Sequence, residues 1–412
     1  MARKTLGDVA DYINGRAFKP IEWETTGKPI IRIQNLTNSS TEINRTTKTF
    51  EEKYSVRAGD LLFAWSASLG AYIWNGEDGW LNQHIFKVIP KKDISKKYLY
   101  YYLLHVVDQL YAKAHGSGMV HITIKPFKAT TIPLPPLPEQ QRIVDRIESL
   151  FAKLDEAKQK AQDALDSFEP RKAAILHKAF TGELTAQWRK EHGVGMESWK
   201  KKTIDDVFFV FSGKGFKEKE YSSNGIKILR ISNVTYDSLI WDDTKYLPTE
   251  YEKIVPELLL NSTDIVLALN RPITNGKLKI SVMNNNEPVI LYQRVACLRM
   301  RESYCVDFLR FALESRAFLY QIQNNLQGSD QPYINLPPLK KLTLQICSSD
   351  EQTEVVRILD DFLAKEQQAK EAAERVLEQI DLMKKSILAR AFRGELGTND
   401  PAEESAVELV KK

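Results

Sequence analysis

The chain is poor in cysteine and histidine. Three of its 412 residues are cysteine (Cys297, Cys305 and Cys347), all in the second half and none in a Cys-x-x-Cys pair. That spacing argues against a disulfide or metal framework, and buried free thiols in a reducing compartment are expected. No apolar run approaches the roughly 18 residues of a membrane span. The N-terminal stretch MARKTLGDVADY lacks the apolar core of a secretory leader. A cytoplasmic protein with no membrane partner is expected.

Catalytic constellations are missing too. FSGKG at 211–215 lacks the upstream glycine of a phosphate loop, and Gly215 stands where Ser or Thr would bind magnesium. There is no His-Glu-x-x-His, no Gly-x-Ser-x-Gly and no metal-spaced Cys/His set, and the six histidines are scattered. Both Pro-Pro pairs read Leu-Pro-Pro-Leu, not the Asn-Pro-Pro-aromatic tetrapeptide of amino-methyltransferases. A non-enzyme without a metal or cofactor of its own is expected.

Net charge is small, +4, but unevenly placed. Residues 1–138 carry +6 (18 basic, 12 acidic), 139–196 carry 0 (10 and 10), 197–345 carry +3 (20 and 17) and 346–412 carry −5 (10 and 15). Two basic blocks separated by neutral or acidic ones suit two modules that meet a polyanion while the rest meets protein.

The blocks coincide with an internal repeat. TLGDV at 5–9 answers TIDDV at 203–207, and IIRIQNLTN at 30–38 answers ILRISNVTY at 228–236, both at an offset of 198. GSGMVHITI at 116–124 answers GSDQPYINL at 328–336, EQQRIV answers EQTEVV, and AILHKAFTGEL at 174–184 answers SILARAFRGEL at 386–396, all at 212. A unit of about two hundred residues is written twice. Each copy opens with short β-rich runs, such as DLLFAW and DIVLAL, separated by turn signals, then a helical patch before the Gly-Ser loop.

Each copy closes with a long helix. Ile143, Ile147, Leu150, Leu154, Ala157, Ala161, Ala164 and Phe168 step by four and three. So do Val355, Leu359, Phe362, Glu366, Ala369, Ala373, Val376, Ile380, Met383 and Ile387, with Glu366 the one polar member. Such a seam predicts a coiled coil, with the other copy's helix as partner. About 42 residues at 1.5 Å each would make a rod of roughly 60 Å. The prolines of PLPPLPEQQ break the chain between front domain and rod. Pro170 has Leu382 as its counterpart, so the first helix is expected to kink or restart near 166–170 and the second to run through. The expected fold is α+β and internally duplicated. Two mixed α/β domains alternate with two long antiparallel coiled-coil helices, in a nearly circular arrangement with a pseudo-twofold axis. The expected segments are 1–137, 138–185, 186–349, 350–397 and a tail at 398–412.

PLPPLPEQQRIVDRIESLFAKLDE and AFTGELTAQWR, with their second copies EQTEVVRILDDFLA and AFRGEL, make the chain resemble the specificity (S) subunit of type I restriction–modification systems. The second copy departs from the pattern, since SSDEQ replaces PLPEQ. The resemblance implies two target recognition domains, each reading one half of a bipartite double-stranded DNA site, with the helices setting the spacing. It implies two methyltransferase (M) subunits as partners, which hold S-adenosylmethionine, and restriction/motor (R) subunits in the full complex. The alternative is a coiled-coil scaffold that binds only protein.

Base reading needs Arg, Lys, Asn, Gln or Ser side chains on loops. The first front offers Lys28, Arg32, Ser66, Ser68, Gln83 and His84, then Lys113, His115, Ser117, His121 and Lys125 around the Gly-Ser loop. The second offers Arg230, Arg271, Asn275, Lys277, Lys279, Gln293 and Arg294, then Ser329, Gln331 and Tyr333. Arg32 and Arg230, repeated in a β-like run, suit structural salt bridges equally well. For the M subunits the resemblance points to the rod ends: Phe180, Glu183, Leu184 and Trp188, and Phe392, Glu395 and Leu396. Gly182 and Gly394 in the same motif suit helix C-caps.

Overall fold

The same strand order is built twice. In the first copy Ala10–Asn14, Ile85–Pro90, Leu61–Ala64 and Gly70–Ile73 lie side by side as an antiparallel sheet. In the second, Phe208–Ser212, Val295–Met300, Ile265–Ala268 and Ile280–Val282 repeat that order. Each copy adds a smaller sheet containing one parallel pair, Lys28–Ile31 with Gly79–Leu81 and Ile226–Leu229 with Val289–Leu291. Each also closes its base with a two-stranded ladder, Arg3–Thr5 on Thr131–Pro133 and Lys200–Thr203 on Thr343–Ile346. This computed structural model describes residues 3–37, 42–112, 122–236, 238–284 and 287–398. The chain divides into two compact units, Met1–Gln162 with Glu374–Lys412, and Asp163–Ala373. We call them unit 1 and unit 2.

The repeated landmarks are local devices. Thr5 caps the short helix Leu6–Val9 with Asp8 reaching back to its amide, and Thr203 caps Ile204–Val207 with Asp206 in the same box. At the second landmark the Arg32 amide donates to Asn35 Oδ1 at 3.0 Å, and the Arg230 amide to Asn233 Oδ1 at 2.8 Å. The helical patches differ. Lys96–Ala112 is continuous, whereas the second breaks into Val306–Glu314 and Arg316–Asn324 at Ser315, whose hydroxyl accepts from the Phe318 amide. Cys297 and Cys347 are buried in unit 2, and burial pushes both thiols well above their ordinary range.

Each unit packs its sheet against helices from both ends of its sequence. In unit 1, Phe127 lies fully buried against Tyr12 and Phe63, at ring-centroid distances of 5.0 and 4.8 Å. Ile143, Val144 and Ile147 join that core from one long helix, and Leu388, Ala391 and Phe392 from the other. In unit 2, Phe308 and Phe311 occupy the centre with Leu176 and Ala179, Val355 and Leu359.

The long helices run over Leu137–Asp166 and Ser349–Phe392; the first restarts at Phe168–Phe180 after a break at Ser167, three residues before Pro170. One feature of the expected seam is corrected. Val376 and Met383 are exposed at 39% and 46%, while Ala373 and Ile380 are buried and Leu377 is half-buried. A straight α-helix at 3.6 residues per turn drifts from a strict seven-residue repeat by about 20° per heptad. The buried positions follow that drift. Within unit 1, Lys384 lies over the Phe151 ring at 5.2 Å and pairs with Asp155 at 2.6 Å. Within unit 2, Glu366, the polar seam residue, takes both forks of Arg171 at 2.6–3.0 Å.

His105 carries a pH consequence. Its ring stacks on Phe392 at 5.4 Å, and burial, then the nearby Arg393, hold its pKa below the ordinary 6.5. The unfolded chain then binds a proton that the folded one refuses, so stability is full above about pH 6.5 and is lost as pH falls below it. Melting followed from pH 8 to pH 5 should show the loss, and His105→Phe, which keeps a ring against Phe392, should reduce it. Equal pH dependence in the two proteins would count against the assignment.

Candidate nucleic-acid interface

Backbone hydrogen bonds gather three sequence-distant loops at one edge of each unit. In unit 1 the strand Leu61–Ala64 runs into Trp65. The Trp65 amide donates to the His84 carbonyl at 3.0 Å, and the Trp65 carbonyl accepts from the Ile122 amide at 3.0 Å. In unit 2 the strand Ile265–Ala268 runs into Leu269, whose amide donates to the Arg294 carbonyl at 2.9 Å and whose carbonyl accepts from the Ile334 amide at 2.9 Å. The Arg271 amide adds a bond of 2.6 Å to the Pro332 carbonyl. The second loop of each edge is anchored from the front: the Gln83 amide donates to Arg16 O at 2.7 Å and the Gln293 amide to Lys214 O at 3.2 Å. Thus 65–68, 82–84 and the start of 122–125 form one edge, and 269–271, 292–294 and 327–334 form its counterpart.

Within these edges the expected residues differ in accessibility. Ser66 is buried at 2%, while Ser68, Gln83 and Lys125 are exposed and His84 is half-buried. The His84 ring lies 4.8 Å from that of Trp65, whose indole nitrogen donates to Asn14. Lys113, His115, Ser117 and His121 lie outside the described residues. In unit 2, Arg271, Gln293, Arg294, Ser329 and Gln331 are exposed. Gln327 and Tyr333 exchange backbone bonds of 2.8 and 2.9 Å that close the Gly-Ser loop, with Gly328 in the left-handed region at φ 82°.

The other expected residues sit elsewhere. Lys28 lies over Trp80 at 5.2 Å and Arg32 over Trp23 at 5.2 Å. Arg230 pairs with Asp243 at 2.8 Å and holds that carboxyl below its ordinary range, the structural role its β-like run allowed. Asn275 and Gly276, at φ 51° and 73°, form the two-residue turn between Ile273–Thr274 and Lys277–Leu278. Lys277 pairs with Glu169 at 2.6 Å beside a cavity of about 390 Å³, and the Lys279 amide donates to Pro272 O.

The repeated rod-end residues are largely internal. Phe392 is buried against Tyr98, Tyr102 and His105, and Phe180 packs edge-on to Phe308 at 5.3 Å. Leu184 and Leu396 are half-buried against the same two cores. Gly182 and Gly394 take φ of 79° and 76°, as helix C-caps require. Glu183 is exposed, Glu395 pairs with Arg393 and Trp188 stacks on His192.

The Glu-Gln pair that opens each rod was missed as a site. Gln140 accepts from the Ser95 amide at 2.8 Å and donates to Asp93 O at 2.9 Å, tying the first turn of the rod to the front domain. Gln352 likewise accepts from the Cys305 amide at 3.0 Å, and its donation to Cys347 O at 2.9 Å matches that of Gln140 to Pro135 O at 2.8 Å. Glu351 is fully buried and accepts from Arg189, Thr185, Trp199 and Ser198. The doubled Glu-Gln was the available signal.

No group of three or more His, Cys, Asp or Glu able to hold a metal occurs among the described residues, and no described helix is long and apolar enough to cross a membrane. The model of the type I restriction modification DNA specificity domain matches residues 1–165 and 196–378, one region per copy of the repeat. The specificity subunit of the type I restriction enzyme MjaVIII from Methanocaldococcus jannaschii is 32% identical over 407 residues, covering 95% of this chain and 92% of that one. The EcoBI specificity subunit of Escherichia coli is 23% identical, covering 96% and 86%. Among solved structures, a chain of a type I R-M system superposes with a TM-score of 0.68 at 18% identity, covering 96% and 98%. The HsdS subunit of Thermoanaerobacter tengcongensis gives 0.63 at 18%, covering 96% and 97%. With both copies of its repeat matched and a relative at 32% identity along nearly its whole length, the chain belongs to the family of type I restriction–modification DNA specificity subunits.

Proposed function

We propose that this chain confers DNA sequence specificity on a type I restriction–modification enzyme, each unit reading one half of a bipartite duplex site. The observation that carries the reading is the doubled three-loop edge. Two basic modules on one chain present equivalent frames with different side chains, which suits a split site whose halves differ in sequence. Phosphate contacts need only positive charge and fix register, whereas base reading falls to exposed polar side chains on the loops. On that division Ser68, Gln83, His84, Arg271, Gln293, Arg294, Ser329 and Gln331 are the candidates for base contact, and Lys28, Lys125 and Lys279 for the backbone. Lys113, His115, Ser117 and His121 belong to the same Gly-Ser segment and are proposed with it. Ser66, buried at 2%, supports the loop from inside.

The long helices act as the spacer. Their pairing is antiparallel in this reading, in keeping with the Asp155–Lys384 and Arg171–Glu366 ion pairs. Methyltransferase subunits dock at the rod ends, two per chain because the motif occurs twice, and restriction/motor subunits join through them. Glu183, Trp188 and Glu395 are the groups there open to a partner, while Phe180 and Phe392 hold the rod end in its own core. S-adenosylmethionine binds the partner and not this chain.

Labelled S-adenosylmethionine tests the division of labour. The chain alone should transfer no methyl group to DNA, and the chain with a methyltransferase partner should modify one bipartite sequence. Transfer by the chain alone, or modification with no sequence preference in the complex, would overturn the reading.

A further inference from the structure

Each three-loop edge carries two non-glycine residues in the left-handed backbone region, at equivalent places: Ala67 and His84 in unit 1, with φ of 59° and 73°, and Arg271 and Arg294 in unit 2, with φ of 46° and 67°. Only Thr263 and Asn275 share that region among the other described non-glycine residues. Side-chain-bearing residues rarely adopt it, and such positions cluster where function fixes the backbone. The hydrogen bonds at Trp65 and Leu269 hold both edges in one frame, so the frame is common and the side chains set on it are not.

The two arginines are also unengaged. Seven of the ten arginines of unit 2 pair with carboxylates, Arg230 with Asp243 and Arg299 with Asp264 among them. Arg271 and Arg294 are exposed, and neither guanidinium makes a hydrogen bond or ion pair with another described residue. A ligand that takes these forks breaks no internal bond. The guanidinium presents two parallel N–H donors, and guanine is the base that offers two acceptors, O6 and N7, side by side in the major groove.

We propose that Arg271 and Arg294 determine specificity in unit 2, each binding a guanine of its half-site through O6 and N7. Ala67 and His84 then give unit 1 no such bidentate contact, which makes the two half-sites different on one shared frame. This rests on the reading that unit 2 recognises half of a bipartite site.

The test is methylation-site sequencing of the full chain assembled with its methyltransferase, comparing wild type with Arg271→Gly, Arg294→Gly and the two lysine variants. Glycine accepts the left-handed backbone freely, so the frame survives. Lysine keeps the charge and loses the fork. The wild type should show guanines in one half-site. Each glycine variant should lose discrimination at one guanine by about ten- to a hundredfold, each lysine variant should lose less because an ammonium can still reach O6 and N7, and the other half-site should stay unchanged. If glycine leaves the guanine preference intact and weakens methylation evenly across sequences, the arginines are phosphate contacts and the inference is wrong. A wild type with no bipartite site refutes the underlying reading; a bipartite wild-type site indifferent to all four substitutions refutes only the inference.

Discussion

Exchanging Arg3–Pro133 for the corresponding front of another family member should rewrite one half-site of the methylated sequence and leave the other intact. The boundaries follow from the fold. Arg3–Thr5 pairs with Thr131–Pro133, so both strands of the closing ladder must move together or one is left without its partner. The exchanged segment includes all three loops of the unit 1 edge and none of unit 2. It does remove contacts to Phe392 and to the start of the first rod, so the incoming front must supply an equivalent aromatic pocket for Phe392. A second alteration separates reading from spacing. Four residues inserted at each junction between units, Gln162/Asp163 and Ala373/Glu374, lengthen a helix by about one turn, or 6 Å. At about 3.4 Å per base pair along the duplex, the gap between half-sites should change by one or two base pairs with both sequences kept. Sequencing methylated sites for wild type, exchange and insertion decides it. If the exchange rewrites both halves, or if the insertion alters bases at constant spacing, two readers on a ruler is the wrong mechanism.

Arg189→Met should lower the stability of unit 2 by about 3–5 kcal/mol, the range for breaking a buried pair by removing one partner. Glu351 is fully buried and the Arg189 side chain is 8% exposed. Arg189 also donates to the Gly182 carbonyl at 2.6 Å, so its loss frees the helix cap at the same time. Thr185 at 2.6 Å, Trp199 at 3.0 Å and Ser198 at 3.3 Å would remain on the carboxylate, but none neutralises it. Changing both residues, Arg189→Met with Glu351→Leu, should recover part of the loss, because the stranded charge is gone while Thr185 and Trp199 lack an acceptor and Ser198 keeps the Gly195 carbonyl. The surface pair Lys384–Asp155, with side chains 27% and 59% exposed, is the contrast: Lys384→Met should cost at most about 1 kcal/mol. Denaturant midpoints measure all three. An unchanged midpoint for Arg189→Met would mean that the buried network contributes nothing to unit 2.

Repetition of short strings at fixed offsets was enough to reveal two copies of one unit. Local chemistry was legible too, since Thr-x-x-Asp is a capping box and Gly182 and Gly394 are left-handed caps wherever they occur. Pro170 marked the helix break because a proline lacks the amide a helix needs. What lay beyond the string was set by contacts between distant residues. The seam expected at Val376 and Met383 shifted towards Leu377 and Lys384, because the pitch of a straight helix decides which side stays buried over several turns. Arg230 and Arg271 look alike in sequence, yet Asp243 lies in reach of one and no described carboxylate pairs with the other. Phe180 and Phe392 sit in a repeated motif that suggested a docking surface, and both turn inwards because an aromatic pocket from the same unit receives them. The sequence by itself determined that one unit is written twice, that the first long helix breaks near Pro170 while the second runs through, and which residue types were available to read DNA. Only the tertiary structure decided which of those side chains remain unpaired at an edge, since that depends on partners brought close by the sheet and not by the chain.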